Sequence, residues 1–529
     1  MFFAGLKSSY EPENVTRIFY PGAQLLPARP RRGPQGPGRA PLVLARAGRK
    51  RLLAAVRLPP GAVPDAAPAL QADPAQNAAA PPGGTPAPQA GPAQNSAAPP
   101  GPRVWLAAAP APADPAQAEY ALTRLLYDLL RRVTGLRPPW GMMTGVRPVR
   151  IIHDARAAGK TEQQIERVFC EHYDCSAQKF ALCRQIADLQ RPVLARSQNR
   201  DYSLYIGIPF CPSRCSYCSF VSLSTERETG LMQPYLDALC AELSAIRAVA
   251  GRCGLRLRTV YIGGGTPTSL SAGQLRQLMG AVRDTFDLAG VEEYTVEAGR
   301  PDCTTPEKLA VLKEYGATRI SINPQTFEDG VLRRIGRRHS AQDILNCFAA
   351  ARAAGHANIN MDLIAGLPGD TVEGFERSLE TALSLSPENI TVHTLTLKRA
   401  SGLVIGGAAP AYADVAAMLG RCRRLAGAGY RPYYLYRQKN TLQNLENTGW
   451  AKPGFEGLYN IYIMEEAHTI LSAGAGGSTK LRGPGGKVIR RIFNYKYPKD
   501  YLDGFAAVLD RKEGVCEFYA RYLDPQTAG

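Results

Sequence analysis

No run of about 18 consecutive apolar residues occurs in this chain of 529 residues, so no segment is suited to crossing a bilayer. The first residues, Met1 to Phe19, lack a basic stretch followed by an apolar one, and no secretory signal is expected there. Cysteine is sparse at 12, which excludes a disulfide-dense scaffold and points to a cytoplasmic protein. Nine of the twelve are scattered singly along the chain. Charged residues reach only 21% against 45% hydrophobic, a balance that excludes a wholly disordered chain. Acids are the scarcer sign, with Asp+Glu 46 against Lys+Arg 63 and a formal net charge of +17. Residues 1–60 hold eleven Lys and Arg against only Glu11 and Glu13. Such a unit suits an anionic surface, but no aromatic interleaving marks single-strand binding, so a nucleic-acid partner is not expected.

The length suggests about three domains. Residues 1–58 read as a small basic domain, with apolar stretches Pro41–Ala45 and Leu52–Leu58 flanking a turn at Gly48-Arg49-Lys50. Residues 59–116 are dominated by Ala, Pro, Gly, Gln and Asn, and PAQNAAAPPG at 74–83 returns as PAQNSAAPPG at 92–101. This composition cannot offset the entropy of ordering, and a disordered linker is expected. Residues 117–200 read as a helical segment, with Leu122, Leu125, Leu126, Leu129 and Leu130 in helical period, then Ile165, Val168 and Phe169. A breaker-rich loop, Pro138 to Gly145, lies between them.

From 201 to 437 short apolar strands alternate with amphipathic segments. Strands are predicted at 203–208, 258–262, 293–297, 318–322, 358–364, 389–395 and 430–436, with helices such as 231–250, 272–287 and 341–354. Alternation of this kind implies right-handed crossovers and a parallel sheet curled into a full or partial barrel. The fold class is therefore α/β, a TIM-like barrel with a small α+β domain before it and an accessory region, 438–529, after it. In such barrels the chemistry sits at the C-terminal ends of the strands.

Cys211, Cys215 and Cys218 follow the first barrel strand with C-x3-C-x2-C spacing. Three thiolates in one loop can hold three corners of a cubane iron–sulfur cluster and leave the fourth iron open. A structural zinc site asks for four closed ligands, typically as two separated pairs, and only one group is present. An inert trio of thiols is the remaining reading.

The spacing, together with Tyr217 just before the third Cys, resembles the radical S-adenosylmethionine (SAM) enzymes. The stretch from Ser203 to Cys211, SLYIGIPFC, is similar to the oxygen-independent coproporphyrinogen III oxidase (coproporphyrinogen dehydrogenase) family, in its HemZ-like branch. The resemblance covers roughly residues 117–500 and implies a [4Fe-4S] cluster and SAM as cofactors. It further implies that Gly264, Gly265 and Thr266, in the Gly263–Pro267 turn, approach the methionine amino group. Glu297 would contact the methionine moiety, Gln325 and Asp362 the ribose, and Arg337 the carboxylate. Tyr205 would stand near the sulfonium. The implied reaction is reductive cleavage of SAM, hydrogen removal from a propionate of coproporphyrinogen III, and loss of carbon dioxide to give protoporphyrinogen IX. A tetrapyrrole substrate and an external one-electron donor of flavodoxin or ferredoxin type follow. Arg300, Lys398, Arg399 and Arg437, near predicted strand ends, are candidate partners for substrate carboxylates.

Two positions depart from the dehydrogenases. Phe220 stands where they often carry a fourth Cys, and Gly207 where they carry a His. Phe220 is what the related haem-chaperone branch shows, yet that branch's His-Asn-x-x-Tyr-Trp element is not intact at Glu446–Trp450. A haem-binding chaperone is thus the second expectation, and another radical reaction, such as RNA modification, the third.

Overall fold

The computed structural model describes residues 1–4, 10–20, 23, 42–48, 50–58, 103–114, 117–145, 147–226, 228–398, 401–405 and 414–523. They fall into two compact units, Met1–Gly145 with Glu166–Lys179, and Val146–Ile165 with Phe180–Gly529.

In the first unit four strands, β1 (Phe2–Ala4), β2 (Leu42–Ala47), β3 (Arg51–Leu58) and β4 (Arg103–Pro110), lie side by side in chain order. β2 and β3 form the expected hairpin, closed by Gly48 N–H donating to the Arg51 carbonyl at 2.9 Å. Alternation puts Leu52, Ala54, Val56 and Leu58 on a buried face, packed with Leu122, Leu126, Leu129 and Leu130 of helix Ala118–Thr134. The expected linker 59–116 needs correction at its end. Residues 103–110 are β4, paired along the whole of β3, with Trp105, Ala107 and Ala109 standing opposite Val56, Ala54 and Leu52 of its buried face. Residues 59–102 lie outside the described residues. The breaker loop is held by its backbone: a Cβ at Gly141 (φ +55°) would lie 1.9 Å from the Tyr173 carbonyl oxygen, so only glycine fits.

The second unit carries β5 (Asp201–Ile208), β6 (Phe210–Cys211), β7 (Leu223–Ser224), β8 (Arg256–Gly264), β9 (Glu293–Glu297), β10 (Arg319–Gln325), β11 (Ile359–Ala365) and β12 (Asn389–Thr394). β13 (Arg431–Arg437), β14 (Glu446–Ala451), β15 (Thr469–Ala473), β16 (Ser478–Arg482) and β17 (Ile489–Phe493) follow. Eleven of these form one mixed sheet, in the order β13-β14-β12-β11-β10-β9-β8-β5-β15-β16-β17, while β6 and β7 pair separately. From β12 to β15 the run is parallel. Helices between the strands start at side-chain caps, among them Ser271 and Ser340 in full capping boxes. Ile320, Ile322, Met361 and Leu363 face these helices in the main core.

The opposite face is built in layers by register. Ser203, Thr259 and Glu293 form the lowest, Tyr205, Tyr261, Thr295 and Arg319 the next, and Gly207, Gly263, Glu297, Ser321 and Asn360 the uppermost. Helix Leu458–Met464 closes the bottom. The Glu293 carboxylate accepts from the Leu458 and Tyr459 amides at 2.7 and 3.2 Å, the Tyr459 ring stacks on Tyr261 at 4.5 Å, and Asn460 donates to the Tyr433 hydroxyl at 3.1 Å. Glu293 on β9 and Tyr433 on β13 are far apart in sheet order, so one short helix can touch both only if the sheet curls into a partial barrel.

Two features differ from the sequence reading. β14 inserts antiparallel between β12 and β13, which keeps 431–437 from pairing directly with 389–394. β15–β17 extend the same sheet beyond β5, so the accessory region after 437 shares the barrel sheet rather than following it. That region is anchored by a buried ion pair. Lys512 Nζ lies 2.5 Å from Glu242 on helix Thr229–Arg252, and the same carboxylate accepts from Tyr501, Asn494 and the Gly474 amide.

Candidate functional site

The strand ends carry the predicted residues. Cys211 closes β6, Cys215 is buried and Cys218 half-buried. Burial pushes the Cys211 and Cys218 thiols up, and each is raised further by the neighbouring Cys215, so the three sulfurs share one locality. Among the described residues no three Cys, His, Asp or Glu converge on a single-ion position.

The loop is clamped from two sides. Ser216 N–H donates to the Ile335 carbonyl at 2.9 Å, and the Ser213 hydroxyl to the Gly336 carbonyl at 3.0 Å. Arg300 donates to the Ser213 carbonyl at 3.1 Å and to its hydroxyl at 2.9 Å, and one of its nitrogens lies 3.7 Å from Cys215 Sγ. Asp302 holds this guanidinium at 2.9 and 2.6 Å.

The Gly263–Gly265 turn follows β8 and lies against the cysteine strand. Gly264 has φ +113°, and a Cβ at Gly265 would fall 2.6 Å from the Phe210 carbonyl oxygen and 3.0 Å from Cys211 Sγ. Close approach of backbone to the thiol is what requires glycine there. Thr266 is buried, donates its amide to the Phe210 carbonyl at 2.8 Å and sets its hydroxyl 3.4 Å from Cys211 Sγ.

Glu297 ends β9. Burial pushes its carboxyl up to about 7, against the Tyr261 hydroxyl that donates to it at 2.6 Å. Gln325 ends β10 with φ +69°, unusual for a residue with a side chain, and its buried Oε1 has no partner. Asp362 lies on β11. Burial disfavours its charge, yet His393 at 3.6 Å and the Asn360 amide at 2.7 Å hold its carboxyl below the ordinary value. Arg337 is buried, donates to the Asn323 and Gly299 carbonyls and to the Tyr217 hydroxyl, and keeps an unpaired Nε. Tyr205 stacks beside Tyr261 and Tyr459, at 6.1 and 6.4 Å. All these residues belong to the second unit: Glu297 and Gln325 end neighbouring parallel strands, Asp362 lies on the next, and Tyr205 and Tyr261 lie deeper, towards Tyr459 on helix Leu458–Met464.

The fit to a cluster and SAM rests on three features: an orphaned buried acceptor at Gln325, a glycine cradle with no room for a Cβ, and three free thiols on one loop. Of the candidate cations, Arg300 and Arg437 are not surface groups, being only 3% exposed. Arg300 frames the cysteine loop and Arg437 donates to the Asn444 carbonyl at 3.2 Å. Lys398 is exposed, 5.8 Å over the ring of Phe220, and Arg399 lies outside the described residues. Sequence reasoning passed over Tyr261, Tyr459, His393 and Arg319, a 2%-exposed cation in the second inward layer. For Tyr261, His393 and Arg319 only the period-2 alternation within their strands could have revealed them; Tyr459, on helix Leu458–Met464, had no such signal.

Residues 205–382 match the family model described as the radical SAM superfamily. The chain is 39% identical over 404 residues to the "Oxygen-independent coproporphyrinogen-III oxidase-like protein HemZ" of Bacillus subtilis, covering 75% of this chain and 80% of that protein. It is 42% identical over 197 residues to "Heme chaperone HemW" of the same organism, covering 37% and 51%. Among solved structures, coproporphyrinogen III oxidase (HemN) of Escherichia coli aligns with a TM-score of 0.48 at 24% identity, over 61% of this chain and 72% of that one.

Proposed function

Because the chain belongs to the radical SAM superfamily, and within it to the family of HemZ-like, oxygen-independent coproporphyrinogen III oxidase-like proteins, we propose that it decarboxylates the propionate side chains of coproporphyrinogen III oxidatively, with protoporphyrinogen IX as product. The observation that carries this reading is the convergence of Cys211, Cys215 and Cys218 with Glu297, Gln325, Arg337 and Asp362 at one end of the parallel strands.

In this reading the three thiols hold the cluster. Cluster and SAM together supply a one-electron cleavage that ends in abstraction of a hydrogen atom. The protein's part is placement. The bare backbone at Gly264 and Gly265 would leave room beside Cys211 for the methionine end of SAM, and the Glu297 carboxylate would accept from its nitrogen. Arg337 turns its guanidinium to the carboxylate, a task its donor fork suits. The Gln325 carbonyl oxygen, unpaired in the protein alone, and the Asp362 carboxylate accept from ribose hydroxyls. Tyr205, Tyr261 and Tyr459 form an aromatic floor that excludes water beneath the reacting atoms. A small electron-transfer protein of flavodoxin or ferredoxin type is the reductant.

The test is anaerobic turnover of reconstituted protein with SAM, reductant and coproporphyrinogen III. Carbon dioxide and protoporphyrinogen should appear, and should vanish with Cys215→Ala. A second reading, a haem-binding chaperone, is favoured by Phe220, 63% exposed beside Cys218 with no thiol in its place. Tight haem uptake without decarboxylation would establish that reading instead.

A further inference from the structure

Two cysteines outside the cluster loop, scattered singly in sequence, meet in space. Cys253 caps the C-terminal end of helix Thr229–Arg252, and Cys516 sits in the first turn of helix Glu513–Tyr522. Their Sγ atoms are 3.3 Å apart although 263 positions separate them, and both are free thiols. The Val249 carbonyl oxygen serves both residues, accepting the Cys253 amide at 3.1 Å and the Cys516 thiol at 3.9 Å. The flanks are fastened as well: Arg252 pairs with Glu513 at 2.5 Å, and Arg200 donates to the Cys253 carbonyl.

A disulfide needs sulfurs about 2.0 Å apart, so the pair must close by roughly 1.3 Å, within reach of side-chain rotation. Cys253 is 6% exposed, whereas Cys516 is half-buried and therefore the thiol that a small molecule reaches. Burial, with the Cys516 hydrogen bond added to it, pushes the Cys253 thiol up to about 12, so Cys253 acts second.

We propose that Cys253 and Cys516 are a thiol–disulfide site that closes reversibly against a low-molecular-weight disulfide. The Cys516 sulfur attacks that disulfide, forming a mixed disulfide and releasing one small thiol. The Cys253 sulfur then attacks Cys516 Sγ, the protein disulfide forms, and the second small thiol leaves. Two protein thiols lose two electrons, the small disulfide gains them, and both protons finish on the released thiols. The bond would staple helix Glu513–Tyr522 to helix Thr229–Arg252, close to the Lys512–Glu242 pair that already joins the same segments. The accessory region that holds the Gly474 turn would thereby be locked to the barrel.

The experiment treats the full chain, purified under reducing conditions, with oxidised glutathione. Free thiols are then alkylated and the digest is mapped without reductant. The expected result is a Cys253–Cys516 linked peptide as the main crosslink, reversed by dithiothreitol and absent in Cys516→Ser. Limited proteolysis should release the C-terminal fragment at least tenfold more slowly from the oxidised form. The proposal is overturned if both cysteines remain alkylatable, if glutathione stays on Cys516 without closure, or if the linked form is cleaved as fast as the reduced one. The wild-type map alone decides the point should the Ser variant fold poorly.

Discussion

Glu297→Gln should remove a pH dependence that the wild-type site shows. The Glu297 carboxyl sits at about 7 rather than 4.5 because burial disfavours its charge. An ionised carboxylate accepts from the methionine nitrogen better than the neutral acid does, so SAM binding should follow the ionised fraction. With a pKa near 7 that fraction is about 10% at pH 6 and about 90% at pH 8, a gain of roughly ninefold in apparent affinity. Stability runs the other way. A raised acid is protonated in the native state and ionised in the unfolded chain between pH 4.5 and 7, so stability falls as pH rises through that window. The loss amounts to about 3 kcal/mol above pH 7, from about 1.4 kcal/mol per pH unit, and should be largely repaid when ligand pairs with the carboxylate. The assay is equilibrium SAM binding to anaerobically reconstituted protein from pH 6 to pH 8, alongside urea unfolding of the apoprotein. Glu297→Gln keeps the shape and should flatten both profiles. The reasoning is refuted if wild-type affinity is level across that range, or if the Gln variant keeps the slope.

Gln325→Ala should change stability by less than about 1 kcal/mol, since it also removes an unpaired buried acceptor, while weakening SAM binding tenfold or more; paired unfolding and binding titrations check both signs. Gly265→Ala should displace Cys211 and lower the iron and sulfide content of reconstituted protein, measured against protein concentration, because its Cβ would fall 2.6 Å from the Phe210 carbonyl oxygen. Lys512→Met leaves the Glu242 carboxylate buried without its cation and should cost about 3 kcal/mol in denaturant unfolding, the low end for a broken buried pair, because Tyr501, Asn494 and the Gly474 amide still donate to it.

What was legible in the sequence follows from which signals are local. The seven predicted strands of the barrel all form, six within two residues at each end and β10 running three residues further to Gln325, because each is a short apolar run bounded by turn residues. The candidate SAM contacts came from resemblance to the radical SAM enzymes, not from composition or period, and strand order alone puts Glu297, Gln325 and Asp362 on neighbouring parallel strands. What stayed hidden depends on pairings between distant segments. β4 was read as linker because alanine-rich residues signal nothing alone, and only the exposed edge of β3 makes them a strand. β14 is not among the predicted strands, since Asn447-Thr448-Gly449 carry turn chemistry that pairing with β12 and β13 overrides. Arg300 is expected to be a candidate partner for substrate carboxylates, and nothing local announces that Asp302 and Ser213 will enclose it beneath the cysteine loop. A buried arginine is tolerated only where its charge is matched, and Asp302 supplies that match while leaving a nitrogen 3.7 Å from Cys215 Sγ. The same enclosure that concealed Arg300 from the sequence therefore sets a fixed positive charge against the cysteine loop, held there by Asp302.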